Sequence, residues 1–137
     1  MDTELKIMKA IHSGFLKAQG TETAAGYCHV ISVLVMRRLN SVNFLNQPWL
    51  LCLGKHIKGN IETEHYWLEG TSRGGNEYCF IDITADQFGR DIPFISKSRP
   101  RSYNLETCNQ DELSFILEAS AINSWSGLVD QIVKDHA

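Results

Sequence analysis

Three side chains in this sequence have types and settings that suit nucleophilic chemistry: Cys28, His65 and Asp82. Cys28 follows Gly26 closely and stands where an apolar run over residues 27–39 begins. If that run is a helix, its dipole and unpaired N–H groups favour thiolate over thiol at the cysteine. The same N–H groups can receive an oxyanion, and Gly26 leaves room for a substrate carbonyl to approach. His65 opens the alternating segment 65–69, and Asp82 lies within residues 77–84, a run rich in aromatic and β-branched residues. The glycine-rich stretch 70–76 between them reads as the turn of an antiparallel hairpin. Pairing about a centre near position 73 brings His65 opposite residues 81–82, and neighbours on one face lie ~5 Å apart. A cysteine nucleophile needs such a pair: the carboxylate fixes the imidazole tautomer, and the imidazole takes the thiol proton.

Taken singly, each residue has an ordinary explanation. A cysteine at a helix start is commonly a structural thiol, and a histidine heading a strand is commonly a packing or surface residue. Asp82, just ahead of Ile83 and Thr84, suits the cap of a turn. Their order along the chain, first a helix start and then two consecutive strands, favours the chemical reading. His29 follows Cys28 directly and points elsewhere off the helix. His12, His56 and His136 are scattered without ligand spacing, and no HExxH or carboxylate cluster appears, so neither a metal nor another cofactor is expected. Gly74 and Gly75 lack the strand–GxGxxG–helix context of a nucleotide loop. Asp86, outside the strand, is expected to take no part in the site.

The elements able to hold these groups are legible around them. Leu5, Met8, Ile11, Phe15 and Ala18 recur at helical spacing, with Lys6, Lys9 and Lys17 off that stripe. Asp2 and Gly20 suit a cap and a stop, which predicts an amphipathic helix over residues 3–18. Residues 19–26 form a small, polar connector. The length of the run 27–39, and Arg37 and Arg38 ahead of Asn40 and Ser41, predict a helix buried on most of its surface. Strands are predicted at 49–54, 65–69 and 77–84, and a short edge strand at 92–95, where Pro93 cannot donate to a ladder. Residues 110–119 and 122–136 predict closing helices. The chain is therefore expected to be α+β, with the Cys28 helix packed on a small antiparallel sheet.

Composition narrows the class. The chain has 137 residues, 43% of them hydrophobic, which fits one domain over residues 1–137 with one core. No window approaches the ~18 apolar residues of a membrane helix, so no membrane partner is expected. A formal charge of −3 argues against nucleic acid as main partner, and the basic residues within 97–101 read as a solvated loop. Residues 1–4 carry neither a basic n-region nor an apolar h-region, so the expected location is cytoplasmic. Export by a signal-independent secretion system would leave no compositional trace. Cys28, Cys52, Cys79 and Cys108 contain no CxxC pair. Cys52 and Cys79 sit inside apolar runs and are expected to be core thiols.

The sequence resembles the papain-like cysteine superfamily, nearest its small bacterial transglutaminase-like, deamidase and amidase branches. The resemblance rests on three segments: Gly26, Tyr27 and Cys28; then His65, Tyr66, Trp67, Leu68 and Glu69; then Phe80, Ile81, Asp82, Ile83 and Thr84, with Gln87 and Phe88 close behind. It implies a papain-like core and a triad of Cys28, His65 and Asp82. An aspartate as third member fits the transglutaminase-like branch, where papain proper has asparagine. In papain-like peptidases a glutamine a few residues before the cysteine supplies an oxyanion donor, whereas Gln19 here lies nine residues upstream of Cys28. The length leaves no room for the second lobe of a long peptide cleft, which points away from a general protease.

The expected activity is that of a cysteine-dependent enzyme acting on an amide of a protein or peptide through a thioester on Cys28. Glutamine deamidation, transamidation and amide hydrolysis share that first half-reaction, and the residues do not separate them. The rival is a non-catalytic binding or regulatory module, in which Trp49, Trp67 and Trp125 serve an interface.

Overall fold

The computed structural model describes residues 2–23, 26–72 and 75–137, the side chains of residues 120 and 121 excepted. Residues 24–25 of the expected connector, and 73–74 at the expected turn centre, lie outside the described residues. Helix α1 (Asp2–Gln19) buries Ile7, Met8, Ile11 and Phe15 along one stripe, has Asp2 and Glu4 in its first turn, and stops at Gly20 with φ of 68°. Helix α2 (Cys28–Ser41) buries Val30, Ile31, Val33, Leu34, Val35, Met36 and Leu39, so nearly its whole circumference is enclosed. It packs against both α1 and the sheet. A two-point ion pair ties the helices together: Arg38 Nε and Nη2 donate to Glu4 at 3.0 and 2.6 Å.

The sheet contains β1 (Leu50–Lys58), β2 (Ile61–Thr71), β3 (Tyr78–Asp82), β4 (Phe94–Ser96) and β5 (Tyr103–Thr107). Their order is β4-β3-β2-β1-β5, with every pair antiparallel. Strand periodicity sends alternate residues to opposite faces. Leu51, Leu68, Cys79 and Ile81 join the helices in the main core. Cys52, Trp67, Phe80 and Tyr103 form a second, smaller core on the far face. The fold is α+β, and the chain closes with α3 (Ser114–Leu117), α4 (Ser120–Asn123) and α5 (Ser126–Asp135). Among the described residues no helix is long and apolar enough to cross a membrane.

Several expectations change: β2 covers Ile61–Thr71 rather than 65–69 alone, and β3 stops at Asp82 rather than reaching 84. The first strand runs on to Lys58, because Lys55 and Ile57 keep the alternation going on a half-solvated face. Strand β5 was not expected; it pairs with β1 immediately after the prolyl turn in which Tyr103 N–H donates to Pro100 O. The closing helices are shorter and broken. Asn109 Oδ1 accepts from Asp111 N–H and Thr107 Oγ1 from Asn109 N–H, and such local bonds compete with helix formation over residues 107–111.

The β1–β5 ladder shifts register between Leu53 and Gly54. A side chain at Gly54 would collide with the Asn104 backbone carbonyl and the Trp67 indole. Gly54→Ala should therefore cost about 1–3 kcal/mol through overpacking. Gly127→Ala, whose methyl would meet open space, should leave the melting temperature unchanged or slightly raised. Thermal unfolding of the two variants checks this, and equal melting temperatures would count against the close approach at Gly54.

Candidate active site

Cys28 is the first residue of α2, and the flanking Tyr27 makes no side-chain cap to the helix. The first N–H groups of a helix have no intrahelical acceptor, and Cys28 stands among them in sequence. Cys28 is 7% exposed, while the side chains of His65 and Asp82 are 0% exposed. The imidazole thus lies wholly beneath the surface, and Cys28 is itself nearly buried. Cys28 is close enough to the His65 ring to raise its basicity.

His65 sits in β2 and Asp82 ends β3. The register Leu68↔Ile81 and Glu69↔Phe80 places Asp82 level with Trp67. His65 and Asp82 are therefore diagonal neighbours on one face, rather than directly opposite as the turn centre suggested. The diagonal still closes: His65 Nε2 lies 2.8 Å from Asp82 Oδ2. Because β3 stops at Asp82, the part of β2 before His65 has no β3 partner.

Asp82 is saturated with donors. Its Oδ1 accepts from Thr84 N–H at 2.9 Å and Thr84 Oγ1 at 3.2 Å. Its Oδ2 accepts from Tyr103 Oη at 2.5 Å as well as from His65. The turn-capping role and the histidine-orienting role thus belong to the same carboxylate, one oxygen for each. With Nε2–H held by Asp82, Nδ1 is the imidazole nitrogen left to accept a proton. Burial works against the imidazolium, but the hydrogen bond and charge of Asp82, with the facing Cys28, outweigh it and raise His65 to about 9. Since the folded value exceeds the ordinary value of about 6.5, this pair stabilises the fold fully below that range and loses its effect as pH rises through about 9.

Aromatic rings fix the imidazole on its other sides. Trp67 lies at 6.2 Å and 28° to His65, and Phe88 meets it edge-on at 4.8 Å. His56 stacks flat on Phe88 at 3.5 Å and 7°. Burial first, then the charges of His65 and Arg90, push His56 down to about 4, so it is a neutral wall at physiological pH. His29 lies beside Tyr66 at 5.9 Å, and its burial lowers its basicity, in keeping with a residue outside the proton path.

No family, curated protein or solved structure matches this chain. Its chemistry is therefore read from its own side chains. Several were missed at the sequence level. Tyr103 comes from the unexpected β5. Gln87, on the 3₁₀ turn Ala85–Phe88, places Nε2 at 3.3 Å from His65 Nδ1. Asp86, outside the strand as expected, bonds His12 of α1 at 3.1 Å and so pins that turn. Cys52 and Cys79 are buried, and desolvation holds both thiols above the ordinary range. All four cysteines are free. Among the described residues no three His, Cys, Asp or Glu side chains cluster as a metal site.

The basic stretch 97–101 is not wholly solvated, because Arg99 turns inward onto Glu69. Its Nε and Nη2 donate to the two carboxylate oxygens at 2.9 and 2.8 Å. Trp67 Nε1 and Tyr78 Oη donate to the same carboxylate, each at 2.6 Å. Burial opposes ionisation of Glu69, but Arg99, Tyr78 and Trp67 overcome it and hold the carboxyl below its ordinary range. A depressed carboxyl gives stability that is full above the unfolded value and lost as pH falls through the folded one. Destabilisation by Arg99→Ala should therefore be largest at about pH 7 and shrink towards about pH 3. Urea unfolding at the two pH values checks this, and an unchanged gap would mean that Arg99 acts by packing alone.

Proposed function

We propose that this protein is a cysteine-dependent enzyme that acts on an amide of a protein or peptide through a Cys28 thioester. The observation that carries the reading is the buried 2.8 Å contact between His65 and Asp82, with Cys28 near enough to the same ring to raise its basicity. A structural histidine has no need of a saturated carboxylate on one nitrogen and a thiol at a helix start facing it. The order of helix, histidine strand and aspartate strand also supports a papain-like, transglutaminase-like core.

In the reaction, the Cys28 proton passes to His65 Nδ1 while Asp82 stabilises the imidazolium through Nε2–H. The sulfur then adds to the amide carbon, and the carbonyl electron pair moves onto oxygen. Collapse of that adduct expels the amine, which leaves with the proton from Nδ1. Ammonia departs if the amide is a glutamine side chain. Water or a second amine resolves the thioester, which gives deamidation or amide hydrolysis in the first case and transamidation in the second. His65 deprotonates that second nucleophile.

Iodoacetamide tests the nucleophile. Cys28 should alkylate at least ~10-fold faster at neutral pH than the half-buried Cys108, because only a thiolate attacks readily. Asp82→Asn should cut the Cys28 rate by ~10-fold or more, since each lost pKa unit on the partner is a tenfold change. Cys28→Ala should abolish release of ammonia or amine from a glutamine-peptide panel without lowering the melting temperature. Equal alkylation of Cys28 and Cys108 would instead favour a non-catalytic binding module.

A further inference from the structure

We propose that Cys52 and Cys108 form a modification site, a dithiol that a low-molecular-weight disulfide such as oxidised glutathione converts reversibly into a bond between β1 and the segment after β5. The site lies on the face of the sheet away from α2 and does not depend on the role of Cys28.

The backbone holds the two thiols side by side. Leu53 of β1 pairs with Thr107 of β5, so the next residue outward on each chain is Cys52 and Cys108. Beyond them the attachment resumes. Gln110 Oε1 accepts from Leu51 N–H at 3.3 Å, and Gln110 Nε2 donates to Leu51 O at 3.0 Å. The same Nε2 donates to Cys108 O at 2.7 Å, which draws the Cys108 backbone into the clamp. Fastened on both sides, Cys108 lies across from Cys52 at about the spacing of adjacent strands, roughly 5 Å. A disulfide spans Cα separations of about 4.4–6.8 Å. Both side chains belong to the small core on the far face of the sheet. The other two cysteines are elsewhere, Cys79 in the main core and Cys28 at the start of α2.

Burial assigns the order of steps. Cys108 is half-buried, whereas Cys52 is fully buried. Burial first, then the charge of Glu69 and the neighbouring Cys108, push the Cys52 thiol up. The reagent therefore meets Cys108 first. The Cys108 thiolate attacks one sulfur of the reagent, whose S–S bond breaks, and a thiolate departs. That thiolate takes the Cys52 proton. The Cys52 sulfur then attacks the Cys108 sulfur and expels the second thiolate, which gains the proton that Cys108 released to solvent. Two protein thiols are oxidised to one disulfide, and one reagent disulfide is reduced to two thiols. The second step is intramolecular, which offsets the reluctance of the buried thiol to ionise. The new bond fastens β5 to β1, and β5 carries Tyr103, whose hydroxyl bonds Asp82. It also closes the chain over residues 52–108, which restricts the unfolded state and stabilises the fold.

Incubation of the reduced protein with oxidised glutathione, followed by acid quenching and peptide mass mapping, tests the site. The expected product has the Cys52 and Cys108 peptides joined with loss of two hydrogens. Its melting temperature should rise by about 5 °C or more, and dithiothreitol should reverse both changes. Cys108→Ser should show no such rise and keep Cys52 as a thiol. Cys52→Ala should retain glutathione on Cys108, because nothing is left to expel it. Glutathione retained on Cys108 of the unsubstituted protein would overturn the proposal, and so would a Cys108 that stays unmodified. A Cys52–Cys108 bond that lowers the melting temperature would overturn it as well, since the fold would then not hold the two sulfurs at bonding distance. An equal rise in Cys108→Ser would also overturn it, by assigning the stabilisation to another thiol.

Discussion

A carboxylate and an imidazole in contact at 2.8 Å, with neither side chain exposed to water, bear a desolvation cost of several kcal/mol per charge. Such a pair persists only where every remaining lone pair and proton has a partner. Asp82 meets that condition with Thr84 and Tyr103, and the two come from different parts of the chain. Thr84 is local and follows the strand end automatically. Tyr103 is remote and requires β5 to sit beside β1, at the far edge of the sheet from β4. The position of the whole second core thus answers to one buried carboxylate.

The far face of the sheet holds a second buried carboxylate, and the contrast between the two is informative. Glu69 faces Arg99, a cation that does not titrate, and fixes the Trp67 indole beside His65. Asp82 faces a group that gains and loses its proton. Glu69 therefore holds the wall of the site at constant charge, whereas Asp82 answers the protonation state of the base. The stacked pair of His56 and Phe88 completes that wall from β1 and the 3₁₀ turn without adding charge, since His56 stays neutral well below physiological pH. Rigid aromatic packing and a pinned turn together leave the imidazole little freedom except to exchange its Nδ1 proton.

The sequence patterns that read correctly were those carried by periodicity. The apolar stripe of α1, the all-round apolar run of α2 and the alternation of β2 each reflect burial by a single dominant surface, so they are visible locally. Cys28 at the helix start and the pairing of His65 with Asp82 followed from those elements. The register was off because a turn centre estimated from glycines does not fix loop length, and a diagonal contact replaced an opposite one. Strand β5 was obscured by the basic, proline-containing residues before it, although Tyr103 and Leu105 do alternate with polar neighbours. Gln87, Arg99 and Tyr103 gain their roles from tertiary contacts at sequence separations that no local pattern records. The bond of Asp86 to His12 on the first helix is another such remote contact.

The central claim is that Asp82 and Cys28 together hold the buried His65 ring as a strong base, and an NMR titration of that ring tests it most directly. The imidazole of the unsubstituted protein, assigned by comparison with His65→Gln, should show a midpoint near 9. A midpoint at or below the ordinary histidine value of about 6.5 would contradict the account, because burial would then have won over the carboxylate and the thiol.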